Sequence, residues 1–244
     1  MSIERYTITV GGIPVEIVRK DIKNLHLGVY PPEGRVRVSA PLHLDKEAIR
    51  LAIVSRLGWI RRKQKGFQEQ ARESQREMVS GESHYVEGRR YRLVVVVDST
   101  RKRPLVRLKN KQILEMIVPP GTDRNAREQI LERWYRRRLR EQIPRLIQKW
   151  EERIGVSVAE VRIKKMKTRW GSCNIEARRI WLNLELAKKS PACLEYIFVH
   201  EMVHLLERRH TPRFAELLTQ FLPNWQFIRD ELNHAPLGFA EWKY

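Results

Sequence analysis

Residues 194–206 read LEYIFVHEMVHLL, and the fold and chemistry of the chain turn on that stretch. His200 and His204 are four positions apart, one turn on the same side of an α-helix, so both imidazoles can reach a single metal ion. Glu201, beside the first of them, is placed to take a proton from a water attacking next to that ion. Leu194, Ile197, Phe198, Met202, Val203, Leu205 and Leu206 cover much of the helix circumference, as a buried helix requires. Zinc in a catalytic site needs a third protein ligand and one position left open.

His210 follows His204 by six residues, and Thr211-Pro212 is a strong helix-start signal. The first helix is therefore expected to end near Arg208 or Arg209, with the chain turning so that His210 returns to the metal. Glu207 competes for the same role. It shares the helix face, but a third ligand on one straight helix converges poorly on an ion already held by two turns, which favours His210. His26, His43, His84 and His234 read as core or surface histidines.

The chain has 244 residues, 42% of them hydrophobic, enough for one large or two small cores. Met1–Arg5 opens an alternating pattern without a signal-peptide apolar stretch, and the longest aliphatic run, Leu93–Val97, is too short to span a bilayer. With only Cys173 and Cys193, a disulfide framework is not expected; the chain reads as cytoplasmic, with no membrane partner. The net charge is +19 and uneven. Residues 101–150 carry 15 Lys/Arg against 5 Asp/Glu, whereas residues 201–244 carry 5 against 6. A basic segment of this kind attracts phosphate backbones or acidic proteins, so nucleic acid is a possible partner through residues 101–150.

Along the chain, Tyr6, Ile8 and Val10 alternate, Gly11-Gly12 turns, and Val15 and Ile17 resume, which predicts a hairpin. Leu25–Val29 and Arg35–Val38 read as strands, and Asp45 caps one long helical stretch that becomes polar from Lys63 to Glu77. A second strand block follows: Tyr85-Val86, a Glu87-Gly88 turn, Tyr91–Val97, Val106–Leu108 and Ile113–Val118. The domain boundary is expected at Pro119-Pro120-Gly121, giving a strand-rich region over 1–120 and a catalytic domain over 121–244. An amphipathic helix with Ile130, Trp134, Leu139, Ile143, Leu146 and Trp150 comes next, with a kink or break predicted at Pro144. Val158–Met166 and Arg179–Leu184 read as strands, Lys167–Asn174 as a loop, and Thr211–Phe221 and Asn224–Leu232 as closing helices. Strands followed by a His-bearing helix give an α+β order, and no internal repeat is evident.

Arg169-Trp170-Gly171-Ser172-Cys173, Leu182-Asn183, Tyr196, His200-Glu201-Met202-Val203-His204, His210 and Phe214 occur in an order that resembles the YgjP-like metallopeptidases, relatives of SprT-like and minigluzincin peptidases. The resemblance is specific over about residues 155–220. It implies a zincin-like α+β domain, a twisted sheet against an active-site helix, with Zn2+ held by His200, His204 and His210 and Glu201 as general base acting on protein or peptide substrates. Within the Arg169–Cys173 segment, Trp170 can fill core, Gly171 permits a tight turn, and Arg169 or Ser172 can touch substrate. Cys173 as a fourth ligand would close the site and make it structural. Asn183 can orient a ligand histidine or satisfy backbone groups, and Arg179–Leu184 can serve as an edge strand for substrate. Tyr196 and His234 are the candidates for stabilising an oxyanion. The competing function is a nucleic-acid-associated binding protein with a structural or vestigial zinc site. In a third, latent form, the N-terminal 120 residues cover the cleft.

Overall fold

Alternation and turn chemistry organise the N-terminal strands of the protein, whose computed structural model describes residues 4–30, 33–69, 76–166 and 169–234. β1 (Arg5–Val10) and β2 (Ile13–Lys20) pair antiparallel across Gly11-Gly12, which stand at φ 58° and 82°. Two successive positive φ values are what a two-residue hairpin turn needs. β3 (His26–Tyr30) and β4 (Arg35–Pro41) pair antiparallel, and β4 joins β2 in parallel, giving the order β1-β2-β4-β3. Val15, Ile17, Val36, Val38 and Ala40 all point to one buried face. Ile49 and Ile53 of α1 (Lys46–Val54) and Ile60 of α2 (Leu57–Glu69) cover it. The expected single helix after Asp45 is thus two. Ser55 Oγ donates to the Ala52 carbonyl (3.0 Å), a local bond that competes with the helical ladder at the break.

The second sheet repeats this arrangement. β5 (Ser83–Val86) and β6 (Arg89–Val97) form a hairpin across Glu87-Gly88, again both at positive φ (49° and 80°). β7 (Leu105–Leu108) pairs antiparallel with β8 (Ile113–Val118), and β8 pairs parallel with β6, so the order is β5-β6-β8-β7. In both cases an aspartate then caps a helix. Asp45 accepts from the Ala48 N–H, and Asp123 from the Ala126 N–H. The chain therefore contains the same four-strand topology twice, contrary to the expectation of no internal repeat. The repetition lies in strand order and turn type, which many sequences satisfy, and leaves no fixed residue period.

α3 (Arg124–Ile154) runs unbroken through Pro144. The proline removes one ladder bond, but Pro144 and the Arg140 carbonyl it leaves lie on an exposed stretch, while Leu139, Ile143 and Trp150 anchor the opposite face. A third sheet has the order β10-β11-β9, from β9 (Glu160–Lys164), β10 (Gly171–Asn174) and β11 (Arg179–Asn183). β10 and β11 are antiparallel, and β11 and β9 parallel. Part of the expected Lys167–Asn174 loop is thus a strand, with residues 167–168 outside the described residues. The segment read as an edge strand, β11, is the central one. A 3-10 turn (Leu184–Lys188) leads into α4 (Pro191–Val203), α5 (Pro212–Phe221) and α6 (Trp225–His234).

Two compact units result, one within residues 1–71 and one within 72–240. The division falls near residue 71 rather than at Gly121. Leu93, Leu114, Met116 and Val118 of the second sheet share one core with Leu139 and Trp150 of α3, Ile180 and Leu182 of β11, and Phe198 and Met202 of α4. Among the described residues, no helix is long and apolar enough to cross a membrane.

This core makes a truncation prediction. A fragment beginning at residue 72 should unfold cooperatively in a circular-dichroism melt. One beginning at Gly121 should show no cooperative transition, because it lacks the four wholly buried side chains that the sheet gives to the shared core, Leu93, Leu114, Met116 and Val118. A cooperative melt for the shorter fragment would contradict the shared core.

Candidate active site

Ser190 and Pro191 start α4. The Ser190 hydroxyl accepts from the Cys193 N–H (3.4 Å), and proline at the first helical position has no N–H to satisfy. The helix ends at Val203, with His204 as its C-cap, five or six residues before the expected end at Arg208 or Arg209. Leu205 and Leu206 N–H groups bond the Met202 and Val203 carbonyls (2.9 Å each), a tightening three residues apart that closes the helix early. Glu207 is thereby taken off the helix. Its backbone carbonyl lies 3.2 Å from His204 Nδ1. A carbonyl can only accept, so Nδ1 carries the proton and Nε2 of the neutral ring keeps its lone pair.

His210 sits just before α5, whose cap Thr211 accepts from the Phe214 N–H (3.3 Å). This places His210 Nε2 3.0 Å from His200 Nε2. One donor atom from each of His200, His204 and His210 lies within 4.8 Å of the others. The Phe214 ring, 4% exposed, touches all three imidazoles at centroid distances of 4.9, 4.7 and 4.8 Å. Burial, reinforced by the other two rings, pushes His200 down to about 3, and burial lowers His204 as well. These rings resist protonation and keep lone pairs for an electron-poor centre. Three converging imidazoles fit a divalent cation such as zinc. Neither Glu207 nor Cys173 joins the trio. Burial, then the Glu201 charge, pushes the Cys173 thiol up to about 11, which keeps it protonated.

Glu201 is 5% exposed, and burial raises its carboxyl to about 8 against a partial lowering by Arg169. It lies against Gly171 of β10. A Cβ at Gly171 would stand 2.5 Å from Glu201 Oε1 and 2.9 Å from Ile197 Cγ2. Glycine at this position therefore serves close approach of strand to helix, and the predicted tight turn is absent. Asn183, 4% exposed, holds the chain leading into β10. Its amide donates to the Met166 and Arg169 carbonyls (2.8 and 2.7 Å), and its oxygen accepts from the Met166 and Glu185 N–H groups (3.2 Å each). Of the two roles open to Asn183, satisfying backbone groups is the one the structure assigns.

His200, Glu201, His204 and His210 line one cleft of about 1070 Å³, together with all of β10. Tyr196 is buried in its wall, edge-on to His200 (5.9 Å) and stacked on Trp225 (6.3 Å). Burial pushes its hydroxyl up to about 12, so it remains a donor. The His234 side chain lies outside the described residues. Arg208 and Arg229 also line the cleft, and neither belongs to a local motif that reading along the chain could have picked out. The basic region 101–150 is partly consumed by the fold. Arg107 and Lys109 pair with Glu115, Arg124 with Glu128, Arg138 with Glu87 and Lys149 with Glu195, and Arg136 bonds the Ile163 carbonyl.

Comparison with known proteins places the chain in a family. The family model described as YgjP-like, metallopeptidase domain, matches residues 23–235. The crystal structure of the metallopeptidase zymogen of Pyrococcus abyssi abylysin aligns with 37% of this chain and 90% of its own, at 20% identity and a TM-score of 0.35. No curated protein matches the chain.

Two outcomes follow from the packing of Glu201. Gly171→Ala should lower stability by about 1–3 kcal/mol, the usual cost of overpacking, measured by denaturant unfolding. In metal-free protein Glu201 has a folded value, about 8, above its unfolded 4.5. Its own contribution is full below 4.5 and is lost as pH rises through 8, roughly 3–5 kcal/mol across that window, whereas His200, pushed down to about 3, adds stability in the opposite direction up to its unfolded 6.5. Glu201→Gln should remove the Glu201 part alone, so wild-type stability minus that of the variant should fall from pH 4.5 to 8; a difference that does not change with pH would show that the carboxyl is not held in a desolvated site.

Proposed function

The chain belongs to the YgjP-like metallopeptidase family, and on that premise we propose that it is a zinc endopeptidase with Glu201 as its general base. The observation that carries the proposal is the convergence of three histidine donors within 4.8 Å, in the same cleft as a buried carboxyl. His200, His204 and His210 would hold the ion. Bound zinc would supply a Lewis acid that acidifies water and polarises the scissile carbonyl.

The remaining steps belong to the chain itself. Glu201 takes the proton of the attacking water and passes it to the leaving amine. Its burial gives the carboxylate more basicity than a solvated one, which suits proton transfer near neutral pH. The Phe214 ring limits how far the imidazoles can reorient, and the Glu207 carbonyl fixes the His204 tautomer. Tyr196 is a donor in the cleft wall, placed to hydrogen-bond an oxygen that gains negative charge. Strand addition, first assigned to Arg179–Leu184, moves to β10, an edge strand that lines the cleft along its length. An extended peptide pairing there would lie across Glu201. The nucleic-acid reading keeps its basic segment, since only Arg138 and Lys149 of residues 101–150 pair with carboxylates from outside it, Glu87 and Glu195, but no nucleic-acid motif accompanies it.

Glu201→Gln should retain stoichiometric zinc by metal analysis while casein cleavage falls at least about 100-fold, the low end for loss of a general base. His204→Ala should lose the metal, and a chelator should abolish cleavage by the wild-type protein. Wild-type turnover by Glu201→Gln would remove Glu201 from the role of base.

A further inference from the structure

The peptidase reading leaves the substrate class open, and the charges around the cleft bear on it. Resting on that reading, we infer that the cleft selects peptides with acidic side chains flanking the scissile bond, received by Arg169, Arg208 and Arg229. The three arginines come from separate places in the chain, the residues before β10, the segment after α4, and α6, yet all line the one cleft. The carboxylates among the lining residues are Glu176, exposed at the rim, and Glu201, buried. Neither Arg169 nor Arg208 is ion-paired to a described residue, whereas Arg229 shares Asp230 at 2.9 Å on the surface. Arg169 is close enough for its charge to act on Glu201, and Arg229 for its charge to act on Tyr196.

This local excess is not a diluted image of the overall +19. Residues 201–244 sum to −1, and two of the three cleft arginines come from that stretch. The walls include Trp170, Tyr196, Leu205 and Leu232, low-dielectric surfaces that strengthen a field inside a concave site. A guanidinium presents a planar fork that matches a carboxylate with two parallel bonds. Basic side chains near the bond would instead meet like charge.

The test uses full-length, zinc-reconstituted E201Q protein, so that peptide binds without being cut. Two fluorescein-labelled peptides would be compared by anisotropy, identical except that glutamates on both sides of one central bond are glutamines in the second. The glutamate peptide should bind about tenfold more tightly at low salt, roughly the worth of one charge-assisted pair, and the ratio should shrink as salt rises. Adding R169Q and R208Q should bring the ratio to about 1. Adding R140Q, on the exposed face of α3, should leave it unchanged, with thermal melts checking that each variant is folded. Equal binding of the two peptides, tighter binding of the glutamine peptide, or a ratio indifferent to the cleft arginines would overturn the inference. Wild-type protein assayed on the same pair separates this from the parent reading. Cleavage without a glutamate preference sinks the substrate class alone. Glutamate-selective binding with neither peptide nor casein cut sinks the peptidase while leaving the arginines as the source of selectivity.

Discussion

A strand backbone pressed against a helix carboxylate is the constraint on which the rest of the site depends. β10 approaches α4 so closely at Gly171 that only a hydrogen fits between its backbone and Glu201. That approach withdraws Glu201 from water and thereby sets its basicity. It also turns an edge strand into one wall of the cleft, so that the same packing that tunes the carboxyl exposes a backbone able to pair with an extended chain. Asn183 supports this from beneath by stitching Met166, Arg169 and Glu185 together with four backbone bonds. Satisfying four backbone groups with one buried side chain is economical, and loss of that side chain would leave several of them unpaired at once.

The histidine trio was legible because its information is local. A four-residue spacing specifies a helix face, and Thr211-Pro212 specifies a new helix start, so His210 had to lie in the turn between. The end of α4 was less legible. Leu205 and Leu206 extend the apolar pattern, but nothing in hydrophobicity signals that their N–H groups choose carbonyls three residues back. The strands of the first two sheets and their Gly11-Gly12 and Glu87-Gly88 hairpins could be read from alternation and turn residues, whereas the parallel pairs β2–β4 and β6–β8 could not. The β10 strand could not, since Gly171-Ser172-Cys173-Asn174 lacks both alternation and branched side chains; its pairing with β11 is a tertiary choice. Pro119-Pro120-Gly121 looked like a boundary because turn residues punctuate loops as readily as domains. What decides a domain is shared core, and the second sheet shares its core with α3 and α4.

Charge behaved in the same way. Summed over windows, the basic excess fell on residues 101–150, far along the chain from the histidines. In three dimensions Glu87 and Glu195, from outside that window, pair with Arg138 and Lys149, and most of the excess stays on the surface. The cleft acquires its arginines instead from segments whose windows look neutral. A sum along the sequence measures solubility and long-range attraction, whereas recognition depends on which charges converge on one concavity.

The doubled four-strand topology gives a further view of how α4 is held. In the second copy the Glu87-Gly88 turn docks on the segment that starts α4. The Glu87 and Gly88 N–H groups bond the Ala187 and Lys188 carbonyls (2.9 and 3.1 Å), and a Cβ at Gly88 would lie 3.1 Å from Ser190 Cα. In the first copy the matching Gly11-Gly12 turn rests on its own helix, against Leu57 and Arg61. Both turns need positive φ, so hairpin geometry alone explains a glycine in each. Each turn also meets a packing demand from outside its sheet, Gly11 from the Leu57 side chain of α2 at 2.9 Å and Gly88 from the backbone of Ser190, the residue that caps α4. One topology thus serves two ends: the first copy closes on itself, while the second clamps the start of the helix that carries His200, Glu201 and His204.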